Sequence, residues 1–155
     1  MGLSNFFGQG ANYTPAYQTS GTPFVTSSNG TTVTTTPAHV RFPYVTRFIQ
    51  VTNTSEYPLR IGFSENGVNG VGGSVSGSAY ETGSPARCQN YLIVSGSTTG
   101  GGNQSVRLEL RCKELFIRTH GDAGATGFTL VAGLTGISAM QFPTLTGSAG
   151  FRGVG

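Results

Sequence analysis

The sequence predicts an all-β fold, either a β-sandwich or a jelly roll, and three observations lead to this prediction. Apolar and polar residues alternate along residues 45–63 and again along 106–112, which is the pattern of strands that bury one face. Glycine accounts for 25 of the 155 residues, and Asn-Gly pairs separate several apolar runs. Such pairs are turn signals. No stretch forms a credible amphipathic helix, so about eight strands are expected.

The chain has the length of one domain, and its composition divides it into three parts. Residues 1–20 form an N-terminal arm, residues 21–133 the β domain, and residues 134–155 an extended C-terminal segment. Aromatic side chains in both arms are a large apolar load to leave in water. The N-terminal arm is either a flexible leader or an arm that orders on a neighbouring subunit. In the second case the expected subunit contacts are Phe6, Phe7, Tyr13, Tyr17, Phe142 and Phe151.

The stretch Val45 to Ser64 predicts two strands joined by a tight turn. Apolar residues recur at even spacing on both sides of residues 53–58. Asn and Ser in this connection can bond their own backbone, and Pro58 fixes φ. A central hairpin is therefore expected here.

The other elements follow from shorter signals. Asn29-Gly30 predicts a second hairpin, and the prolines at 37 and 43 bracket an edge segment or a bend. The Gly-rich tract 65–87 predicts an exposed loop, which could face outward or toward the axis of an assembly. Further strands are expected at 91–95, 106–112, 114–119 and 127–132.

The charge content excludes some function classes. Charged residues make up 10% of the chain, against about 25% in typical soluble domains, which suits a surface covered by copies of itself. The net charge is +3 and there is one lysine, so the basic stripe of a nucleic-acid binder is missing. Neither a secretory signal nor a membrane span is expected. Cys88 and Cys112 are expected to be reduced and buried, although a pairing between them stays open.

No catalytic constellation or metal site is expected. His39 and His120 are isolated in sequence, and no nucleophile elbow is present, so a catalytic triad and a zinc site have no motif to support them. The six acids fall mostly in predicted loops. We therefore expect no enzyme activity, no cofactor and no metal. The alternative to a structural role is a jelly-roll carbohydrate-binding or attachment module that would use loop tyrosines such as Tyr80.

Two segments resemble a known family. RFIQVTNTSEYPLRIGFSENGVNG, residues 47–70, and RLELRCKELFIRT, residues 107–119, are similar to the penton (vertex) proteins of large icosahedral double-stranded DNA viruses, such as iridoviruses and giant algal viruses. The resemblance covers about the middle half of the chain, and its motifs are structural.

This resemblance implies a single eight-stranded jelly roll with extended N- and C-terminal arms. It further implies a virion protein, made in the host cytoplasm and not secreted, that forms a homopentamer at each capsid vertex. The implied partners are copies of itself, the major capsid protein, and minor or fibre capsid proteins. Direct contact with nucleic acid is not expected.

Overall fold

Strands make up most of the computed structural model, which describes residues 21–69, 90–97, 103–121, 124, 126–145 and 154, with only the backbone described at 29–32. The strands among these residues are β1 (Thr22–Val33), β2 (Ala38–Arg41), β3 (Tyr44–Asn53), β4 (Leu59–Gly62), β5 (Tyr91–Val94), β6 (Gln104–Leu108), β7 (Glu114–Thr119) and β8 (Thr126–Ser138). Helical structure in these described ranges is limited to α1 (Glu65–Asn69) and a 3-10 helix (Ala139–Gln141).

The strands form two antiparallel sheets. The first sheet has the order β1-β8-β3-β6, and the second has the order β2-β7-β4-β5. Strand β1 lies over β7, and β6 lies over β5. The prediction of an all-β fold with little helix is confirmed.

The core lies between the two sheets and receives alternate residues from both. The first sheet contributes Ile49, Val51 and Leu130, and the second contributes Leu59 and Ile61, all fully buried. The even spacing seen in residues 45–63 therefore identifies the core side chains correctly.

The prediction of a central hairpin, however, is wrong. Strand β3 belongs to the first sheet and β4 to the second, so residues 54–58 cross from one sheet to the other. Asn53 holds this crossing, because its buried amide nitrogen donates to the carbonyls of Tyr57 at 2.8 Å and Ser95 at 3.1 Å. Its side-chain oxygen accepts from the backbone nitrogen of Ser55 at 2.9 Å.

The prediction of a hairpin at Asn29-Gly30 is also wrong. Residues 22–28 and Val33 all pair with β8, so the chain continues in one direction through the Asn-Gly pair. Between Ser28 and Val33 the register shifts, and four residues of β1 face one residue of β8. The turn signal thus marks a bulge.

Three further boundaries differ from the sequence-based expectation. Strand β6 ends at Leu108, and residues 109–113 carry the chain to the second sheet. Strand β8 continues to Ser138, into the segment 134–155 that we expected to be an extended arm. The start of the expected loop 65–87 is helical, while residues 70–87 of that loop lie outside the described residues. The segment between Pro37 and Pro43 forms β2, an edge strand, which is one of the two alternatives that the prolines left open.

Candidate subunit interface

One candidate contact surface lies where β3 begins and β8 ends. Met140 is 95% exposed and Tyr44 is 47% exposed, and Tyr44 pairs with Ser138 across the two strands. Phe142, half-buried, follows the 3-10 helix. We call Pro43, Tyr44, Met140 and Phe142 the end cluster. Exposed apolar side chains grouped in this way are typical of contact surfaces.

Backbone and side-chain hydrogen bonds fix the end cluster. The amide of Ala139 donates to the carbonyl of Pro43 at 3.3 Å, and the amide of Met140 donates to Ser138 Oγ at 3.3 Å. Lys113 Nζ donates to the Phe142 carbonyl at 3.3 Å and to Thr144 Oγ1 at 2.8 Å. The segment after β8 is therefore tied through Lys113 to the crossing 109–113, next to the start of β7.

A cleft of about 360 Å³ opens beside the end cluster. Glu114 on its wall lies 2.8 Å from His39 Nε2, and the His39 ring stacks on Phe116 with centroids 4.2 Å apart. The cleft is lined by two cationic side chains, Arg41 and Lys113, and by one carboxylate, Glu114. The lining consists of Arg41, Phe42, Lys113, Glu114, Ala139, Met140 and Thr144.

A second candidate surface is the outer face of the first sheet. Val25 on β1 is 64% exposed, and it lies opposite Val131 on β8, which is 36% exposed. Strands β1 and β8 are the longest in the described residues, and neither contains a charged residue. Edge strands are usually protected by charges, so an uncharged edge such as β1 indicates a contact.

The outer face of the second sheet is charged and partly covered. Arg60 on β4 donates to His120 Nδ1 at 3.0 Å and to the Asn69 carbonyl at 3.3 Å. Its guanidinium lies 4.4 Å from the centre of the Tyr91 ring, and Arg118 donates to Asn69 Oδ1 at 2.8 Å. These bonds attach the end of α1 to the sheet.

The beginning of α1 is attached in a different way. The Gly67 amide donates to Ser64 Oγ at 2.9 Å, and Ser64 Oγ donates to the Val154 carbonyl. A Cβ at Gly67 would meet Val154 and Asn90 backbone atoms, so only glycine fits this close approach. Val68 is fully buried between α1 and the sheet, against Gly62.

Of the six contact residues expected from the sequence, the structure describes one. Phe142 belongs to the end cluster, as described above. Tyr80, the residue expected in a carbohydrate site, also lies outside the described residues, and so do the remaining five, which are Phe6, Phe7, Tyr13, Tyr17 and Phe151.

Sequence reasoning missed Val25, Tyr44 and Met140. One signal could have pointed to the first of them: the first 40 residues contain no Asp, Glu, Lys or Arg. Met140 carried no such signal, because its exposure depends on where β8 ends.

His120 is held in a structural contact and is not shown beside a catalytic partner. His120 uses Nδ1 to accept the bond from Arg60, and Asp122, its neighbour in sequence, lies outside the described residues. No three of His, Cys, Asp and Glu come together as metal ligands within the described part of the chain.

Cys112 is a free, buried thiol, as predicted, and Cys88 lies outside the described residues. Burial raises the pKa of the Cys112 thiol to about 11, so it stays protonated and poorly nucleophilic near neutral pH. Its amide donates to Thr46 Oγ1 at 3.0 Å, and that hydroxyl lies 3.0 Å from the carbonyl of Leu110, to which it can donate. Cys112 therefore serves the packing of the crossing 109–113.

Comparison with protein-family models, with curated proteins and with solved structures finds no match for this chain. In the described ranges no helix is long and apolar enough to cross a membrane.

Proposed function

We propose that this chain is a non-enzymatic structural protein of a virion. In this proposal it is a penton subunit that assembles as a homopentamer at the vertices of an icosahedral capsid of a large double-stranded DNA virus. Its neighbours would be copies of itself, the major capsid protein, and minor or fibre capsid proteins. Two sets of observations support the proposal.

The strand order supports an eight-stranded jelly roll. In a jelly roll the chain alternates between two four-stranded sheets and winds two Greek keys. Here the orders are β1-β8-β3-β6 and β2-β7-β4-β5, and every consecutive pair of strands except β4 and β5 lies in different sheets. Jelly rolls of this kind recur in viral capsid proteins, but a fold alone does not establish a function.

The observation that carries the proposal is the distribution of charge. The first 40 residues contain no Asp, Glu, Lys or Arg, and β1 within this segment exposes 64% of Val25. Cores of protein interfaces are depleted in charge and enriched in aromatic residues. A shell subunit with neighbours on several sides needs such surfaces, whereas an isolated soluble domain gains little from them.

The test is the mass of the full-length chain in solution. We expect mass photometry at micromolar concentration to find a discrete species of about five times the 16.1 kDa of one chain. A chain that remains monomeric at this concentration would contradict the proposal. Cryo-electron microscopy of particles that contain the chain should place its density at the fivefold vertices, and density elsewhere in the shell would also refute the assignment.

A further inference from the structure

The first sheet exposes an uncharged apolar strip beside one edge. Val25, Val131 and Gln50 lie in one row across β1, β8 and β3, and Pro23 is exposed near the start of β1. The row ends at Arg107, whose guanidinium lies 2.7 Å from Glu109. We call Pro23, Val25 and Val131 the first strip.

The second sheet exposes an apolar side chain at the opposite flank. Strand β5 is the edge of this sheet, contains no charged residue, and exposes 49% of Ile93. Ile93 lies opposite Arg60, and the charge of Arg60 is directed to His120, Asn69 and Tyr91. We call the exposed side of β5 around Ile93 the second strip.

The two strips lie on opposite faces and opposite flanks of one sandwich. Val25 points away from the core on the first sheet and Ile93 points away on the second, because their neighbours Phe24 and Val94 pack inward. Strand β1 is at one flank, whereas β5 lies beneath β6 at the other. A contact between these strips must join two different patches, which is the arrangement that repeats around a ring.

The geometry points to a second copy of this chain as the occupant of the first strip, with its own second strip placed against Val25 and Val131. Both strips are apolar at the centre, and the charges that share their rows, Arg107 and Arg60, are engaged within their own chain. Neither row therefore places an unpaired charge at the centre of the contact. The inference rests on the proposed pentamer and names the contact that closes it.

The test uses charged substitutions at the two strip centres. Val25→Glu and Ile93→Lys should each raise the concentration for half-assembly about tenfold or more, because each buries a charge in an apolar contact. The double variant Val25→Glu/Ile93→Lys places opposite charges at every contact and should restore much of the assembly at low salt. The matched double variant Val25→Glu/Ile93→Glu places like charges there and should remain dissociated.

Two controls separate this contact from other effects. Both residues are exposed, so thermal unfolding of each variant should match that of the original chain. Thr35→Glu adds a charge to the same uncharged segment away from both strips, and it should leave assembly unchanged.

The possible outcomes are distinct. A pentamer that tolerates both single variants, or an opposite-charge double variant no better than the like-charge one, would overturn the strip contact and leave the proposed function standing. Equal dissociation by Thr35→Glu would likewise overturn it. A chain that is monomeric without any substitution would overturn both proposals.

Discussion

The outer faces of the two sheets differ in charge, and they also differ in what covers them. On the first sheet the strands β1 and β8 have no charged residue, and Val25 and Val131 are exposed. On the second sheet Arg60 and Arg118 hold α1 against the strands. A cover that belongs to the same chain buries its apolar residues during folding, whereas an apolar strip that the described residues leave exposed gains burial when a further surface docks on it.

This difference separates stability from assembly. Substitutions under the cover of the second sheet should change the free energy of unfolding of a single chain. Substitutions on the first strip should change assembly and leave folding nearly unaffected. The predictions below test this separation, starting with the link that keeps the two sheets in fixed alignment.

Asn53→Ala should have the largest effect. The substitution removes the amide that joins β3 to the carbonyls of Tyr57 and Ser95, and it leaves buried polar groups without partners. We expect a loss of about 3 kcal/mol in the free energy of unfolding, measured by urea denaturation. Thr52→Ala is the control, because its hydroxyl bonds Ser105 Oγ at an exposed site and its loss should be about 0.5 kcal/mol. Equal losses of free energy of unfolding would show that Asn53 does not hold the crossing between the two sheets.

The buried thiol of Cys112, in the crossing 109–113, should make the free energy of unfolding depend on pH in the alkaline range. Its pKa is raised from 9.0 to about 11 by burial, so the folded chain keeps the proton after the unfolded chain has lost it. The stabilisation is complete below about pH 9 and decreases as the pH rises toward 11. Relative to Cys112→Ala, the original chain should lose roughly 2 kcal/mol of its free energy of unfolding between about pH 8 and about pH 11.

Urea denaturation at several pH values measures this difference, and the comparison with Cys112→Ala cancels the other titrating groups. Parallel pH profiles for the two chains would show that the thiol ionises as readily in the folded protein as in the unfolded one. Alkylation gives a second measurement, because iodoacetamide should modify Cys112 only after unfolding.

Val68→Ala and Val131→Ala apply one substitution to the two faces. Val68 is fully buried on the side of α1 that faces the second sheet, and Val131 on the first sheet is 36% exposed. We expect Val68→Ala to lower the free energy of unfolding by roughly 2 kcal/mol and Val131→Ala by less than about 0.5 kcal/mol. The measurement is urea denaturation at concentrations where the chain is monomeric. Similar losses at both positions would remove the distinction between a covered and an exposed face.

The sequence predicts which side chains enter the core better than it predicts which strands pair. The alternation of Ile49, Val51, Leu59 and Ile61 identifies a buried face in both strands, and all four are fully buried. The same alternation contains no information on the sheet to which a strand belongs. Strands β3 and β4 are adjacent in sequence, yet they lie in different sheets, because β3 pairs with the distant strand β8 and not with β4.

Local turn signals are limited for a related reason. Asn29-Gly30 is compatible with a reversal, but pairing of residues on both sides of it with β8 keeps the strand direction. The composition after residue 133 predicted an extended arm, whereas β8 continues to Ser138 and the Phe48 ring occupies the space above Gly133. The contact surfaces likewise depend on strand pairing as well as on the local sequence. The lack of charge in the first 40 residues is visible in the sequence, but the exposure of Val25 depends on the pairing of β1 with β8.

A small effect is also expected at the charged end of the first sheet. Arg107 lies 4.0 Å from the centre of the Phe48 ring and is paired with Glu109, and its side chain is about half exposed. Arg107→Ala should therefore lower the free energy of unfolding by about 0.5 kcal/mol. Arg60 makes the same kind of ring contact with Tyr91 and also bonds His120 and Asn69, so Arg60→Ala should cost about 2 kcal/mol.

Urea denaturation of the two variants at low and high salt measures this contrast. Salt should reduce the small effect of Arg107→Ala, because exposed ion pairs are screened. The effect of Arg60→Ala should change less, because its bonds are partly buried and its acceptors are neutral. If the two substitutions cost the same and respond to salt alike, Arg60 does not hold the cover of the second sheet, and the two faces differ only in composition.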